Sequence, residues 1–558
     1  MITRLSIVFI LLGLVLVAPF ALRPDPEDGG LTRGDSERLV IITPHNESIQ
    51  SEFARAFARH MKSQYDRDVF VDWRQPGGTS EIARFLKSEY STRFETLWRL
   101  KTNFPFNTAI RDAFDNRGFD EASEYATQQG WVRDLTLLDP KNPDQLTATA
   151  RALFLNSEIG VGIDLFFGGG AYDFTRQAGS GNLVALDATE RYGPAVLAKE
   201  EPTWFDDIMP ASVSGEPFRD PGFRWVGTVL SSFGIVYNTD VLDRLGLEGG
   251  LERWDDLADP RLVGQIALAD PTKSGSTTKA FEMLIQEQIQ RLIAGGMPEE
   301  EAIAKGWDAA MRLIIKISAN ARYFTDYAAK VPRDVALGDA GAGMSIDFYG
   351  RTFNELYQDE NGDSHVQFVM PRAGTSIGAD PIGMLRGAPH PELAHHFIRF
   401  VLSPEGQRLW NFRVGEAGGP DRYALRRPPI RRDFYTEENR TSMSDPEVNP
   451  YEIAEGFTYH DEWTGSLFAS LRFIIKATCI DPHEEQRDAW EQLINRGMPA
   501  EDLKAFENVS LISYNNATNR IAAVLKTKDK VAEVKLAREI TASFREKYES
   551  IVKGGSKP

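Results

Sequence analysis

The stretch RLVIITPHNESIQSEFARAFARHM, residues 38–61, opens with the apolar run Leu39 to Ile42 and then changes its period. Ile49, Phe53, Ala56 and Phe57 recur at i, i+4, i+7 and i+8, which is one face of a helix. The stretch therefore predicts a buried strand, a short polar loop and an amphipathic helix. The same order returns in DVFVDWRQPGGTSEIARFLKSEY, residues 68–90, with a strand from Val69 to Trp73, a Gly-Gly turn, and a helix capped by Thr79 or Ser80. It returns again in GIDLFFGGGAYDFTRQAGSG, residues 162–181, where the strand Ile163 to Phe167 runs into Gly168, Gly169 and Gly170. Strands alternating with helices across short loops imply parallel sheets covered by helices, an α/β protein. In such sheets ligands sit beyond the carboxyl ends of the strands, where these turns fall.

Working outward, 558 residues suffice for more than one lobe, and 42% hydrophobic with 26% charged residues is the balance of an ordinary globular chain. The formal charge of −18 argues against a broad nucleic-acid-binding face. The single Cys479 excludes an internal disulfide framework and any CxxC metal site, and is expected as a small buried side chain. At the N-terminus, Arg4 precedes an apolar run from Leu5 to Leu22 and a polar spacer. Residues 1–37 are read as a signal peptide or an N-terminal membrane anchor with spacer, which places the working part outside the cytoplasmic membrane.

Several blocks together resemble the extracellular solute-binding proteins of ABC importers, in the ferric-iron-type group of the type II periplasmic binding proteins. They are IDLFFGGGAYDF, GIVYNTDVL, RWDDLADPRLVGQIALADPTKSGST and APHPELAHHFIRFVLSPEGQRLW, in the family's order across residues 38 to 415. The resemblance implies two α/β lobes joined by two hinge crossovers, with solute held in the cleft between them. It divides the chain into lobe 1 (38–228), lobe 2 (229–374) and a return to lobe 1 (375–430); a helical insertion at about 91–155 and a mostly helical C-terminal extension (431–558) depart from the compact family pattern. It implies an ABC permease as partner, a monomer, no catalysis and no nucleic acid. No resident cofactor is expected; Fe(III) with an anion is a candidate cargo.

The candidate site follows from these turns. In IALADPTKSGSTTKAF, residues 266–281, a strand runs into Ser274, Gly275, Ser276 and Thr277 at a helix start. Unpaired amides there attract anions, glycine admits close approach, and hydroxyls add donors. Gly168, Gly169 and Gly170 are expected as backbone contacts. His45, Asn46 and Glu47 form the loop after the first strand, where Asn46 also suits a helix cap. In GAGMSIDFYGRTF the family's paired tyrosines correspond to Phe348-Tyr349, so one phenolate expected for ferric iron is missing. Tyr349 with Asp347, His45 and Glu47 is the set that could still assemble a site, with His45, Glu47 and Tyr349 as metal ligands. His395 and His396 are read as helix surface, and Trp463 as core or interface. The alternatives are a membrane-tethered sensor of a phosphorylated or carboxylated solute and an exported hydrolase; no HExxH pair supports the latter.

Overall fold

A computed structural model describes residues 36–527 and 529–554, so the apolar N-terminal run lies outside the described residues. Two main sheets organise the chain. Their strands are β1 (Glu37–Ile42), β2 (Val69–Arg74), β3 (Leu165–Phe167), β4 (Leu183–Val184), β5 (Val226–Ser231), β6 (Phe233–Asn238), β7 (Ile266–Ala269), β8 (Ala321–Thr325), β9 (Ala342–Ile346), β10 (Val366–Val369) and β11 (Gly378–Leu385). The first sheet runs β2-β1-β3-β11-β4, with β5 also paired to β11. β1 is parallel to β2 and β3, whereas β11 returns antiparallel to β3. The second runs β8-β7-β9-β6-β10, with β7 parallel to β8 and β9, and β6 antiparallel to β9 and β10. This is the two-lobed α/β fold that the resemblance implied.

The run Trp225 to Tyr237 is one extended passage interrupted at Ser232, where the chain leaves β5 of the first sheet for β6 of the second. It comes back between Val369 and Gly378. Two crossovers therefore join the sheets of the lobes, and a third passage follows where the chain runs from Ala454 in the lobe 1 core to Trp463 in the lobe 2 core.

The helices that matter here are α1 (Glu47–Tyr65), α2 (Thr79–Thr102), α3 (Ala171–Ser180), α4 (Gly275–Ala294), α5 (Glu299–Asn320), α6 (Asp347–Leu356), α7 (Pro391–Leu402), α8 (Phe468–Ile475), α9 (His483–Asn495) and α10 (Lys530–Val552). α1 forms where its periodicity placed it. Asn46 caps it by accepting from the Ile49 N–H at 3.1 Å, and Ile49, Phe53, Ala56, Phe57 and Met61 are buried. That face packs with Ala394, Phe397, Ile398, Val401 and Leu402 of α7 on one side of the first sheet. His395 is not surface, as the sequence suggested. It is buried, with Nε2 3.1 Å from Glu200, because the segment from Gly193 to Glu200 covers that side of α7.

The insertion covers the other side of the first sheet. Ile82, Leu86, Tyr90, Phe94 and Trp98 make a buried stripe along α2, and Phe94 stacks on Phe114 at 4.7 Å. The N-cap of α2 is Gly78, one residue before the expected Thr79 or Ser80; the Glu81 carboxylate accepts from the Gly78 N–H at 3.2 Å.

Residues 431–456 were expected to begin the extension, yet Ala454 belongs to the lobe 1 core and Tyr451 and Ile453 pack against it. The helical block that follows joins lobe 2 instead. Trp463, Leu471, Ile474, Trp490, Phe544 and Ile551 share one core with Ile266, Leu284, Trp307 and Ile314. Two buried indoles fasten it: Trp490 Nε1 donates to Asn320 Oδ1 at 2.8 Å, and Trp307 Nε1 to the Ile512 carbonyl at 3.0 Å. Cys479 is buried in the same core.

Candidate functional site

Between the lobes lies a cavity of about 700 Å³. Its position follows from chain direction: parallel strands end at it, and the helices that follow them begin at it. Asn46, Gly78, Gly170, Ser274 and Ile346, the N-caps of α1, α2, α3, α4 and α6, all line it. Three of these helices belong to lobe 1 and two to lobe 2. The first amides of each lack intrahelical acceptors and carry partial positive charge, worth about 0.3–1 kcal/mol per helix toward an anion at an exposed site and more when shielded.

The expected residues divide clearly. His45, Asn46, Gly169, Gly170, Ser274, Gly275, Ser276 and Tyr349 line the cavity. Glu47, Gly168, Thr277 and Asp347 stand outside its lining. Glu47 is exposed on the first turn of α1. Asp347 is buried, and its carboxylate accepts from Arg351 at 2.7 Å. Gly168, at φ +90°, serves packing: a Cβ there would lie 2.4 Å from the His45 ring. Thr277 gives its N–H to Ser274 Oγ at 3.2 Å, so Ser274 caps α4 and lines the cavity at once.

One polar corner centres on Arg427, which the sequence analysis did not single out. Its side chain is 1% exposed, with Nη2 2.6 Å from Asp380 Oδ2. Nη1 lies 3.3 Å from His45 Nε2, and the guanidinium stands 4.6 Å from the Phe348 ring. Its Nε has no hydrogen-bond partner among the described residues. Burial lowers the His45 pKa below the ordinary imidazole value, and Arg427 adds to this against the opposing pull of Asp380. Burial alone would raise the Asp380 carboxyl; Arg427 and His45 more than offset it and hold it below the usual range. Burial pushes the Tyr349 phenol well above its ordinary value, so it stands as a neutral hydroxyl.

Several other carboxylates around the cavity have cationic partners. Glu216 and Glu282 flank Lys279 at 2.9 and 3.0 Å, Asp326 holds Lys273 at 2.5 Å, and Asp220 accepts from Arg224 at 2.7 Å. Burial raises the Asp173 pKa. The stretch GTSIG, residues 374–378, has the spacing of a hydrolase nucleophile turn. Its Ser376 is 1% exposed, donates to Glu216 at 2.5 Å, and sits on the passage back to lobe 1 instead of a strand-to-helix turn.

Residues 190–415 match the family model of bacterial extracellular solute-binding proteins. The matched segment spans both crossovers and most of lobe 2. The putrescine/agmatine-binding protein of Pseudomonas aeruginosa is 23% identical over 191 residues, 34% of this chain and 49% of the relative. The phosphoglycerate transport regulatory protein PgtC of Salmonella typhimurium is 25% identical over 185 residues, 33% of this chain and 40% of the relative. The chain thus spans about half or less of the length of the curated relatives it matches. Among solved structures, the periplasmic binding protein AfuA from Actinobacillus pleuropneumoniae aligns at 19% identity and a TM-score of 0.42, covering 66% of this chain and 81% of AfuA. Iron-bound HitA from Pseudomonas aeruginosa aligns at 14% identity and a TM-score of 0.44, covering 78% and 99%. Among the described residues no helix is long and apolar enough to cross a membrane.

Proposed function

We propose that the chain is an extracytoplasmic solute-binding protein that captures a small phosphorylated or carboxylated solute between its lobes and delivers it to an ABC permease, without catalysis. One observation carries this reading: five helix N-termini, three from lobe 1 and two from lobe 2, converge on one inter-lobe cavity. Arg427, Lys273 and Arg224 each face one carboxylate, while Lys279 serves both Glu216 and Glu282, so the case for an anion over an amine rests on the amide N–H groups at the helix starts. A solute touching both lobes favours the closed arrangement, which is how binding becomes a signal to a permease.

Ferric iron as cargo fits the residues less well. Of the expected metal ligands, His45 and Tyr349 line the cavity and Glu47 does not. Among the described residues no group of three His, Cys, Asp or Glu side chains is arranged to hold a metal. The Arg427 guanidinium beside His45 Nε2 also opposes a cation there. The names of the two relatives, one for a diamine and one for phosphoglycerate, define the competing cargoes.

Mass spectrometry of what the protein releases on denaturation, together with metal analysis, tests the proposal. One organic anion per chain is the expected result. One iron or one diamine per chain, with no anion, would overturn it.

A further inference from the structure

The cavity has a wall that two lobes alone do not supply. Tyr459 and Phe468, from the chain beyond the return to lobe 1, line it. The helical block that carries Phe468 is fixed to lobe 2. Gln286 of α4 bonds the His460 carbonyl at 2.8 Å and Thr464 Oγ1 at 2.7 Å, and Arg472 Nε donates to Thr278 Oγ1 at 3.0 Å. The opposite edge of the same block touches lobe 1. The Phe468 ring stands 4.3 Å from Tyr172, and Arg472 Nη2 lies 3.9 Å from Asp173 Oδ2. Tyr172 and Asp173 form the first turn of α3, directly after Gly169 and Gly170.

The three bodies meet at contact distance around Gly275, and the lobes meet more tightly still at Gly78. A Cβ on Gly275 would stand 3.4 Å from Arg472 Nη2 and 3.5 Å from Asp173 Oδ2, and one on Gly78 would stand 2.9 Å from the Lys273 carbonyl oxygen. An element bolted to one lobe and packed on the other adds contacts that exist only while the lobes are together, and such contacts shift the population toward the closed form.

We infer that the C-terminal extension is a latch on the cleft. Its Phe468–Arg472 edge holds lobe 1 at Tyr172 and Asp173 before solute arrives, and solute enters and leaves when that edge lets go. This deepens the proposed function by assigning a regulator to the same cavity, and rests on that reading only for what passes the latch.

Hydrogen–deuterium exchange on the full chain, stripped of solute and with none added, tests it. Phe468→Ala combined with Arg472→Ala, and separately Tyr172→Ala on the lobe 1 side, should each speed exchange of residues 168–175 and 273–278 at least about tenfold. Strands β1 and β7 should keep their protection, which shows that both lobes stay folded. Unchanged exchange at these two turns in Tyr172→Ala would overturn the latch, as would a wild-type protein whose turns already exchange as fast as in the variants. Because no solute is present, either result is independent of whether anions bind.

Discussion

Arg427 and Asp380 close to 2.6 Å beside the inter-lobe cavity, and His45 Nε2 stands 3.6 Å from the same carboxylate oxygen. The strand β11, the loop after β1 and the segment following lobe 1's last helices each contribute one group. The arrangement is electrically closed in itself, with one cation, one anion and one imidazole held neutral by burial.

Removing the cation leaves the Asp380 carboxylate, 18% exposed at the cavity wall, uncompensated; the cost approaches about 3–5 kcal/mol as burial becomes complete. Arg427→Met should therefore destabilise strongly in urea unfolding. The double variant with Asp380→Asn should recover part of the loss, since neither charge then remains. Equal instability in the double variant would mean that Arg427 acts through packing against Phe348 and Trp410 instead.

Both shifts in this group are depressions, so the unfolded chain binds more protons than the folded one as the pH falls. For His45 the loss of stability starts below the unfolded value near about 6.5; for Asp380 it starts near about 3.9 and runs down through the folded value. Urea midpoints of the wild type should drop between pH 7 and 5, and His45→Gln should flatten that slope. A steeper slope in the variant would contradict the assignment of a neutral buried imidazole.

The two glycine clusters predict opposite behaviour. Gly168→Ala forces a side chain into a φ of +90° and into the His45 ring, which should cost at least about 1–3 kcal/mol. Gly275→Ala sits at the first position of α4 with ordinary contacts, so the fold should tolerate it. Its methyl group stands at the cavity lining, so any solute-induced rise in Tm should shrink. Thermal unfolding with and without solute separates the two effects.

The extension should not behave as a detachable domain. Trp490 is 2% exposed and its Nε1 satisfies Asn320 at the end of α5. Trp490→Ala should cost about 3–5 kcal/mol and lower the unfolding of lobe 2 with it. Differential scanning calorimetry that shows the extension melting alone, with lobe 2 unmoved, would contradict the shared core.

Much of this was legible in the sequence because it is written locally. Period 3.6 after an apolar run placed β1 and α1, and the Ser274 cluster announced the N-terminus of α4 at a strand end. What the sequence did not disclose depends on distant parts of the chain meeting. Nothing near Arg427 signals that its partners lie at positions 380 and 45, although the paired Arg426-Arg427 in a buried stretch was a clue. Asp347 looked available beside Tyr349 until Arg351, one helical turn later, claimed it. His395 looked like surface because its helix was read without Gly193 and Glu200 against it. The insertion and the extension have clear amphipathic stripes, but a stripe does not name the face it will cover.

An anion held between the two lobes by amide-rich helix starts should raise the melting temperature when it binds. Titrating solute-stripped protein with 3-phosphoglycerate, fructose 6-phosphate, citrate, ferric salts and putrescine while following Tm tests it most directly. A solute binding only the folded state should add about 2.7 kcal/mol at 100 times its Kd. One of the organic anions should raise Tm, and Gly275→Ala should reduce the rise. A rise with putrescine alone, or with ferric salts alone and lost in Tyr349→Phe, would contradict it.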